Sequence, residues 1–191
     1  MDPNTLQAQK TLLVRQRFTL MVNRYEVRLA APGGAAGAVV AFAQQKRMAF
    51  REQVTLYTDE SRRNVLAGFK ARSVMDLRAT YDVTDASGAP IGLFRKDFAM
   101  SLVRSTWHVE QPGLGAMTGQ ERSMVVALLR RFAEMDFLPY HFDFVRDGSH
   151  AFSVEKKWGI RDSYIVTIED DQLDRRLVIA MAVALDALQA R

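Results

Sequence analysis

The chain has 191 residues, of which 48% are hydrophobic and 25% charged, and these proportions are typical of a folded globular protein rather than a disordered one. It contains no cysteine, which excludes a disulfide scaffold, a thiolate zinc site and a cysteine nucleophile. The net charge of +4 comes from 26 basic and 22 acidic residues, and this mild excess is no convincing signal for nucleic-acid binding. Composition therefore predicts one ordinary domain and leaves its chemistry open.

The first ten residues predict a flexible arm ahead of a single domain that spans residues 11–191. Residues 1–10 are polar and include Pro3, so they lack the apolar stretch of a signal peptide. The longest apolar run, residues 177–185, has nine residues, whereas a spanning helix needs about 20. We therefore expect no transmembrane span and a cytoplasmic location, with any membrane contact peripheral.

Strand patterns dominate the first 110 residues. In residues 77–84 apolar and polar side chains alternate, and a turn sequence at residues 85–88 leads into a second alternating segment. Further along, Asp147 and Gly148 lie between two apolar segments, which is a strong hairpin signal. About a dozen strand candidates can be counted, more than one flat open sheet usually contains. The pattern therefore favours a mainly β fold with a closed or sandwiched antiparallel sheet.

Residues 118–135 break this pattern and predict a helix. Thr118 and Glu121 have the spacing of a capping box, and an apolar stripe follows at helical intervals. Arg130 and Arg131 lie on the opposite face of that helix. We expect one extra helix on the surface of the domain.

The second predicted helix covers residues 171–191, with Asp171 as a candidate cap at its start. On a helical wheel, residues 177–185 leave no polar face, so this helix is apolar on all sides. Such a helix must be surrounded by other elements, and a β-rich chain can surround it with a barrel. The predicted core of the helix consists of Leu177, Ile179, Met181 and Leu185. The predicted fold is a closed antiparallel β-barrel around a buried C-terminal helix.

Several segments, in this order, resemble the LURP-one-related and phospholipid-scramblase-like branch of the tubby-like superfamily. Residues 81–96 look like that family's strand, D-x-x-G turn and following strand with a basic end, and residues 142–158 look like its last hairpin with a K-x-W ending. Residues 164–168 and 173–188 resemble its final strand and central helix. The resemblance implies a barrel of twelve strands around the helix. It also implies a link to phosphoinositides or membrane lipids, and it carries no catalytic or binding residue over to this chain.

The sequence contains no recognisable catalytic or cofactor motif. The three histidines, His108, His141 and His150, lack metal-ligand spacing, and the pairing of His141 with Asp143 on one strand face is common by chance. No G-x-S-x-G elbow and no phosphate-binding glycine loop is present. We therefore predict no enzyme, no metal and no cofactor.

Paired basic residues are the one recurring surface feature. Adjacent residues on a strand point to opposite faces, so a pair provides two cations on one side only at a strand end or turn. Lys156 and Lys157 meet this condition, because they precede Trp158 and Gly159 at a predicted strand end. The neighbouring Trp158 fits a membrane surface, since an amphipathic aromatic ring favours the membrane interface. The plainer interpretation is a solvated basic rim with a Trp packed in the core. The other pairs are Lys46-Arg47, Arg62-Arg63, Arg95-Lys96, Arg130-Arg131 and Arg175-Arg176.

The leading hypothesis is a non-catalytic domain that binds anionic phospholipid headgroups through Lys156, Lys157, Arg95 and Lys96. The alternative is a protein-interaction scaffold that uses the helix at residues 118–135 as its contact surface. A ligand-binding or catalytic role would need a cleft at the barrel rim, because the helix would fill the interior.

Overall fold

The computed structural model describes residues 3–17, 22–31, 35–45, 52–73, 80–97, 105–123, 141–157 and 163–189. These residues form twelve strands between a short N-terminal helix and a longer C-terminal helix. The elements in chain order are α1 Pro3–Gln7, β1 Thr11–Arg17, β2 Arg24–Ala30, β3 Ala36–Gln45, β4 Gln53–Tyr57, β5 Val65–Ala71, β6 Thr80–Asp85, β7 Pro90–Asp97, β8 Thr106–Gln111, β9 Gly115–Glu121, β10 His141–Arg146, β11 Ser149–Lys157, β12 Ser163–Ile168 and α2 Arg175–Gln189.

The strands form a closed antiparallel barrel. Each strand pairs with its neighbours in the chain, and β1 closes the circle by pairing with β12. The predicted closed barrel and its twelve strands are thereby confirmed. Closure leaves no free strand edge, so every strand can hydrogen-bond on both sides. The β10–β11 hairpin turns at Asp147 and Gly148, which both have the positive φ that a tight two-residue turn requires.

The period-two pattern places one face of each strand inside the barrel. In β1 the side chains of Leu12 and Val14 are fully buried, and the intervening residues are more exposed. In β12 Tyr164, Val166 and Ile168 are buried in the same alternation. The apolar positions of the sequence therefore fix which strand face points inward.

Helix α2 fills the barrel, as predicted. Leu177, Ile179, Met181 and Leu185 are all completely buried, and each contributes about 1.5–3 kcal/mol of apolar burial. The barrel wall approaches the helix closely at Gly92. A Cβ at this position would lie 2.7 Å from Leu177 Cδ2, so glycine is required for the helix to fit.

The start of α2 differs in detail from the prediction. Asp171 is not the cap; Asp174 is, because its Oδ1 accepts a hydrogen bond of 2.8 Å from the Arg176 backbone N–H. The chain first forms a turn at residues 170–173 that buries Leu173, and the helix begins only after it. Arg175 is also buried, and its guanidinium donates to four backbone carbonyls, those of Gln9, Asp170, Asp171 and Leu173.

The prediction of a surface helix at residues 118–135 is wrong for the first residues of that segment. Thr118 and Glu121 belong to β9, where Thr118 pairs with His108 on one side and Val145 on the other. Two flanking strands provide hydrogen bonds that a capping box on an isolated helix cannot match, so tertiary pairing overrides the local signal. Residues 124–135 lie outside the described residues.

The N-terminal segment also differs from the expected flexible arm. Pro3–Gln7 forms α1, and Leu6 is buried against the barrel core. The Gln7 side chain donates a 2.8 Å hydrogen bond to the Leu173 carbonyl, which links α1 to the start of α2. Burial of one leucine and this hydrogen bond hold the segment in place.

Candidate functional site

The barrel has two ends that are defined by the direction of α2. We call the end where residues 169–174 lead into Arg175 the helix-start end, and the end where α2 stops at Gln189 the helix-exit end. Strand β12 leads into α2 and therefore ends at the helix-start end. Because all neighbouring strands are antiparallel, even-numbered strands run toward the helix-start end and odd-numbered strands toward the helix-exit end. Residues at the C-terminal ends of β7 and β11 therefore lie at the same end of the barrel.

Near the helix-exit end, α2 is attached to the barrel wall by a polar contact. The Asp186 carboxylate accepts a hydrogen bond of 2.8 Å from the Tyr25 hydroxyl and a second one from the Tyr164 hydroxyl. Both tyrosine rings are buried, and they reach the carboxylate from β2 and β12. Hydrogen bonds to a charged acceptor are stronger than those between neutral groups, so this contact fixes the depth of α2 in the barrel.

All four predicted lipid-binding residues lie at the helix-exit end, but they do not form one cluster. Lys96 is paired in register with buried Trp107, and Lys156 with buried Tyr164, so both lysines occupy inward-facing positions at the barrel mouth. Arg95 and Lys157 occupy the neighbouring outward positions. Four strand steps of about 4.8 Å separate β7 from β11 along the wall.

The inward and outward residues have different surroundings. The Lys96 ammonium lies 5.8 Å from the centroid of the Trp107 ring, within the range of a cation–π contact. Lys157 is exposed, and among the described residues neither Lys157 nor Arg95 forms an ion pair. These two outward cations are therefore open to an external anion.

The strand register reveals a basic row that sequence reasoning missed. Lys157 of β11 pairs with Ser163 of β12, and Ser163 pairs in turn with Arg15 of β1. All three occupy outward positions, so two exposed cations about 10 Å apart flank one serine hydroxyl. The next residue in the row, Glu26, is held by the guanidinium groups of Arg17 and Arg28. Arg15 itself has no ion pair within the described part of the chain.

The described carboxylates nearest to the row, Asp143 and Glu155, are already paired. Arg122 donates to both Asp143 oxygens, at 2.8 and 2.7 Å, and its Nη1 lies 3.0 Å from a Glu155 oxygen. The hydrogen bonds from Arg122 lower the pKa of Asp143 below its usual range, which outweighs the opposing effect of partial burial. Asp143 and Glu155 are thus bound by Arg122 and not by Lys157.

The remaining basic pairs contribute little to this end. Arg62 and Arg63 lie in the connection between β4 and β5, where Arg62 donates a hydrogen bond of 2.9 Å to the Gln44 side chain. Arg175 is buried, and Arg176 is held by Asp174 at 2.6 Å. Lys46-Arg47, Arg130-Arg131 and Trp158 lie outside the described residues. The described side chains contain no group of three potential metal ligands.

Comparison with known protein families gives one match. The LURP-one-related family model matches residues 39–186, about three quarters of the sequence. The chain belongs to the LURP-one-related family. A search of curated proteins finds no match to this LURP-one-related chain. Helix α2 has 15 residues, fewer than the about 20 that a bilayer crossing requires, and no other described helix is a candidate.

Proposed function

We propose that this LURP-one-related domain binds anionic phospholipid headgroups at a cytoplasmic membrane surface, with its helix-exit end toward the lipid. The single observation that carries the proposal is the row of Lys157, Ser163 and Arg15, which offers on one face a hydroxyl donor and two cations that no described residue pairs. A phosphate group accepts hydrogen bonds from such donors, and each Lys or Arg near an anionic membrane contributes about 1 kcal/mol. We further propose that the family lies within the tubby-like superfamily, beside the scramblases. The proposed role requires no catalytic step.

The mouth of the barrel adds to this surface. Lys96 and Lys156 point inward at the same end, and Arg95 lies on the outside of β7. A membrane surface whose headgroups contact the row therefore meets further positive charge elsewhere around the rim. These residues are the ones that the sequence predicts, and the row adds Arg15 and Ser163 to them.

The amino-acid composition of the connections supports the same orientation. Six connections join strands at the helix-exit end, and 25 of their 53 residues are Val, Ile, Leu, Met, Phe, Trp or Tyr. At the helix-start end, only two of 27 connecting residues, Leu114 and Leu173, belong to these types. Large apolar residues beside basic ones are the composition of segments that contact the membrane interface. The helix-exit connections are residues 18–23, 46–52, 72–79, 98–105, 122–140 and 158–162.

Co-sedimentation with vesicles tests the proposal. Vesicles of phosphatidylcholine with a few per cent phosphoinositide should bind the wild type, and the double variant Arg15→Gln/Lys157→Gln should bind about 25-fold more weakly, since two attractive charges are lost. The matched control is Lys10→Glu, which changes the net charge by the same amount at an exposed lysine of the helix-start end and should bind like the wild type.

Equal loss in the control and the double variant would show that only net charge matters and would contradict a specific surface. No binding of the wild type at low salt would contradict lipid binding altogether. The scaffold alternative stays a prediction, because residues 118–121 of its contact surface belong to β9 and residues 124–135 lie outside the described residues.

A further inference from the structure

A groove lies on the outer wall of the barrel, away from the basic row. It has a volume of about 350 Å³ and is bounded by β6, β7, β8 and the connection between β8 and β9. The side chains that matter are those of Arg72, Asp82, Leu93, Glu110 and Ala116. Arg72 begins one of the helix-exit connections, but it is already paired with Asp82, and none of these residues belongs to the basic row, so the inference stands independently of the proposed function.

One wall of the groove is held in place by hydrogen bonds to the start of α2. The Gln111 side chain donates to the Gln172 carbonyl at 3.0 Å and accepts from the Asp174 backbone N–H at 2.8 Å. The turn that follows uses Gly113 and Gly115, both with positive φ and with open space where a side chain would be. The groove is therefore formed by anchored backbone on one side and by the sheet on the other.

The lining of the groove contains one more carboxylate than guanidinium. Strand register places the outward residues Asp82, Leu93 and Glu110 side by side on β6, β7 and β8. Arg72 is engaged by Asp82 through three contacts of 2.6 to 2.9 Å, so its guanidinium is used by one carboxylate. Within the described residues no hydrogen bond or ion pair holds the Glu110 carboxylate, which acts on Arg72 only as a nearby charge. In the lining, two carboxylates thus face one guanidinium. The next cations on this face, Lys70 beside Asp82 and Arg95 two residues after Leu93, lie outside the lining and form no ion pair within the described residues.

The floor between these carboxylates is apolar. Leu93 separates Asp82 from Glu110, and Pro90, Pro112 and Ala116 complete the lining. A ligand that satisfies this arrangement has a positively charged group for Glu110 and a short apolar part for Leu93 and the prolines. The volume is at the small end of the range for ligand pockets, which favours a small molecule over a polypeptide.

We propose that this groove binds a small organic cation, an ammonium or guanidinium group on a short apolar stem. Its charged group lies against the Glu110 carboxylate, and its stem covers Leu93. A ligand of this kind supplies the counter-charge that Arg72 does not provide. Charge complementarity and apolar contact both select it over a neutral or anionic molecule of the same size.

Titration of the ¹⁵N-labelled protein with n-butylammonium, followed by amide chemical shifts, tests the proposal. The shifts should concentrate at Gly92, Gly113 and Gly115, while n-butanol and butyrate at the same concentrations should leave these amides unchanged. Glu110→Gln should weaken n-butylammonium binding about fivefold, the effect of losing one exposed charge pair. The matched control Glu169→Gln, an exposed carboxylate outside the groove, should bind like the wild type.

A second variant separates volume from charge. Ala116→Phe is expected to fill the groove and abolish the shifts while keeping both carboxylates, because Ala116 is exposed and faces outward. Equal shifts with n-butanol would overturn the assignment of a cation. Unchanged binding in both Glu110→Gln and Ala116→Phe, or shifts spread over the whole surface, would overturn the groove as the site.

Discussion

Individual polar residues at the helix-exit end have two different tasks. Arg15, Ser163 and Lys157 form a row of outward-facing groups open to an anion, while Tyr25 and Tyr164 direct their hydroxyls inward to one carboxylate on the helix. The first set can be changed with little effect on folding, because surface substitutions usually alter stability by less than about 0.5 kcal/mol. The second set is part of the folded core.

The contact at Asp186 should be among the strongest polar contributions to stability. Asp186→Ala removes the acceptor of two buried tyrosine hydroxyls, and we expect the free energy of unfolding to fall by about 3 kcal/mol. Urea denaturation of the variant measures this difference directly. Tyr25→Phe should cost less, about 1 kcal/mol, because it leaves the second hydrogen bond intact. A loss of under 1 kcal/mol for Asp186→Ala would show that the two tyrosines do not hold the helix.

The residue pattern predicts part of this site. The pattern of paired basic residues predicts Lys157 and Arg95 as binding residues, because each is next to another lysine or arginine in the sequence. Arg15 has no basic neighbour at adjacent positions, and its place beside Ser163 depends on the pairing of β1 with β12, about 150 residues away in sequence. Register between distant strands is not encoded in any local pattern, so this part of the site requires the structure.

At the scale of secondary-structure elements, α2 is the element on which the barrel depends. An amphipathic helix would have placed charges against the inward faces of the strands, whereas residues 177–185 present only apolar side chains in every direction. This all-round pattern is visible in the sequence and predicts the buried helix. The segment at residues 118–121 was not predictable in the same way, because its strand pairing outweighs a favourable capping sequence.

A charge in the middle of α2 should prevent folding. Met181 is completely buried, and Met181→Asp would place a carboxylate in the barrel among apolar side chains. We expect loss of the cooperative thermal transition and of the near-ultraviolet circular dichroism signal. Met181→Leu conserves volume and polarity and should cost less than about 1.5 kcal/mol. A native-like transition in Met181→Asp would mean that this face of α2 is not enclosed by the barrel.

At the scale of the whole molecule, the two ends of the barrel differ in chemistry. The connection from β12 into α2 at the helix-start end contains Glu169, Asp170, Asp171 and Asp174, and the turns there are short and polar. The helix-exit end has the basic row and long connections rich in large apolar residues. An acidic end is repelled by an anionic membrane and a basic, apolar end is attracted, so the barrel should bind with its axis directed into the surface.

The absence of cysteine in the sequence allows this orientation to be measured with single labels. An environment-sensitive fluorophore attached to Ser73→Cys, an exposed residue just after β5, reports on the helix-exit end without altering the basic row, and the same label on Ala86→Cys, in the exposed β6–β7 turn, reports on the helix-start end. On addition of phosphoinositide vesicles, we predict a blue shift and stronger emission for the label at position 73 and no change for the label at position 86. Equal changes at both positions, or a change at position 86 alone, would contradict the account.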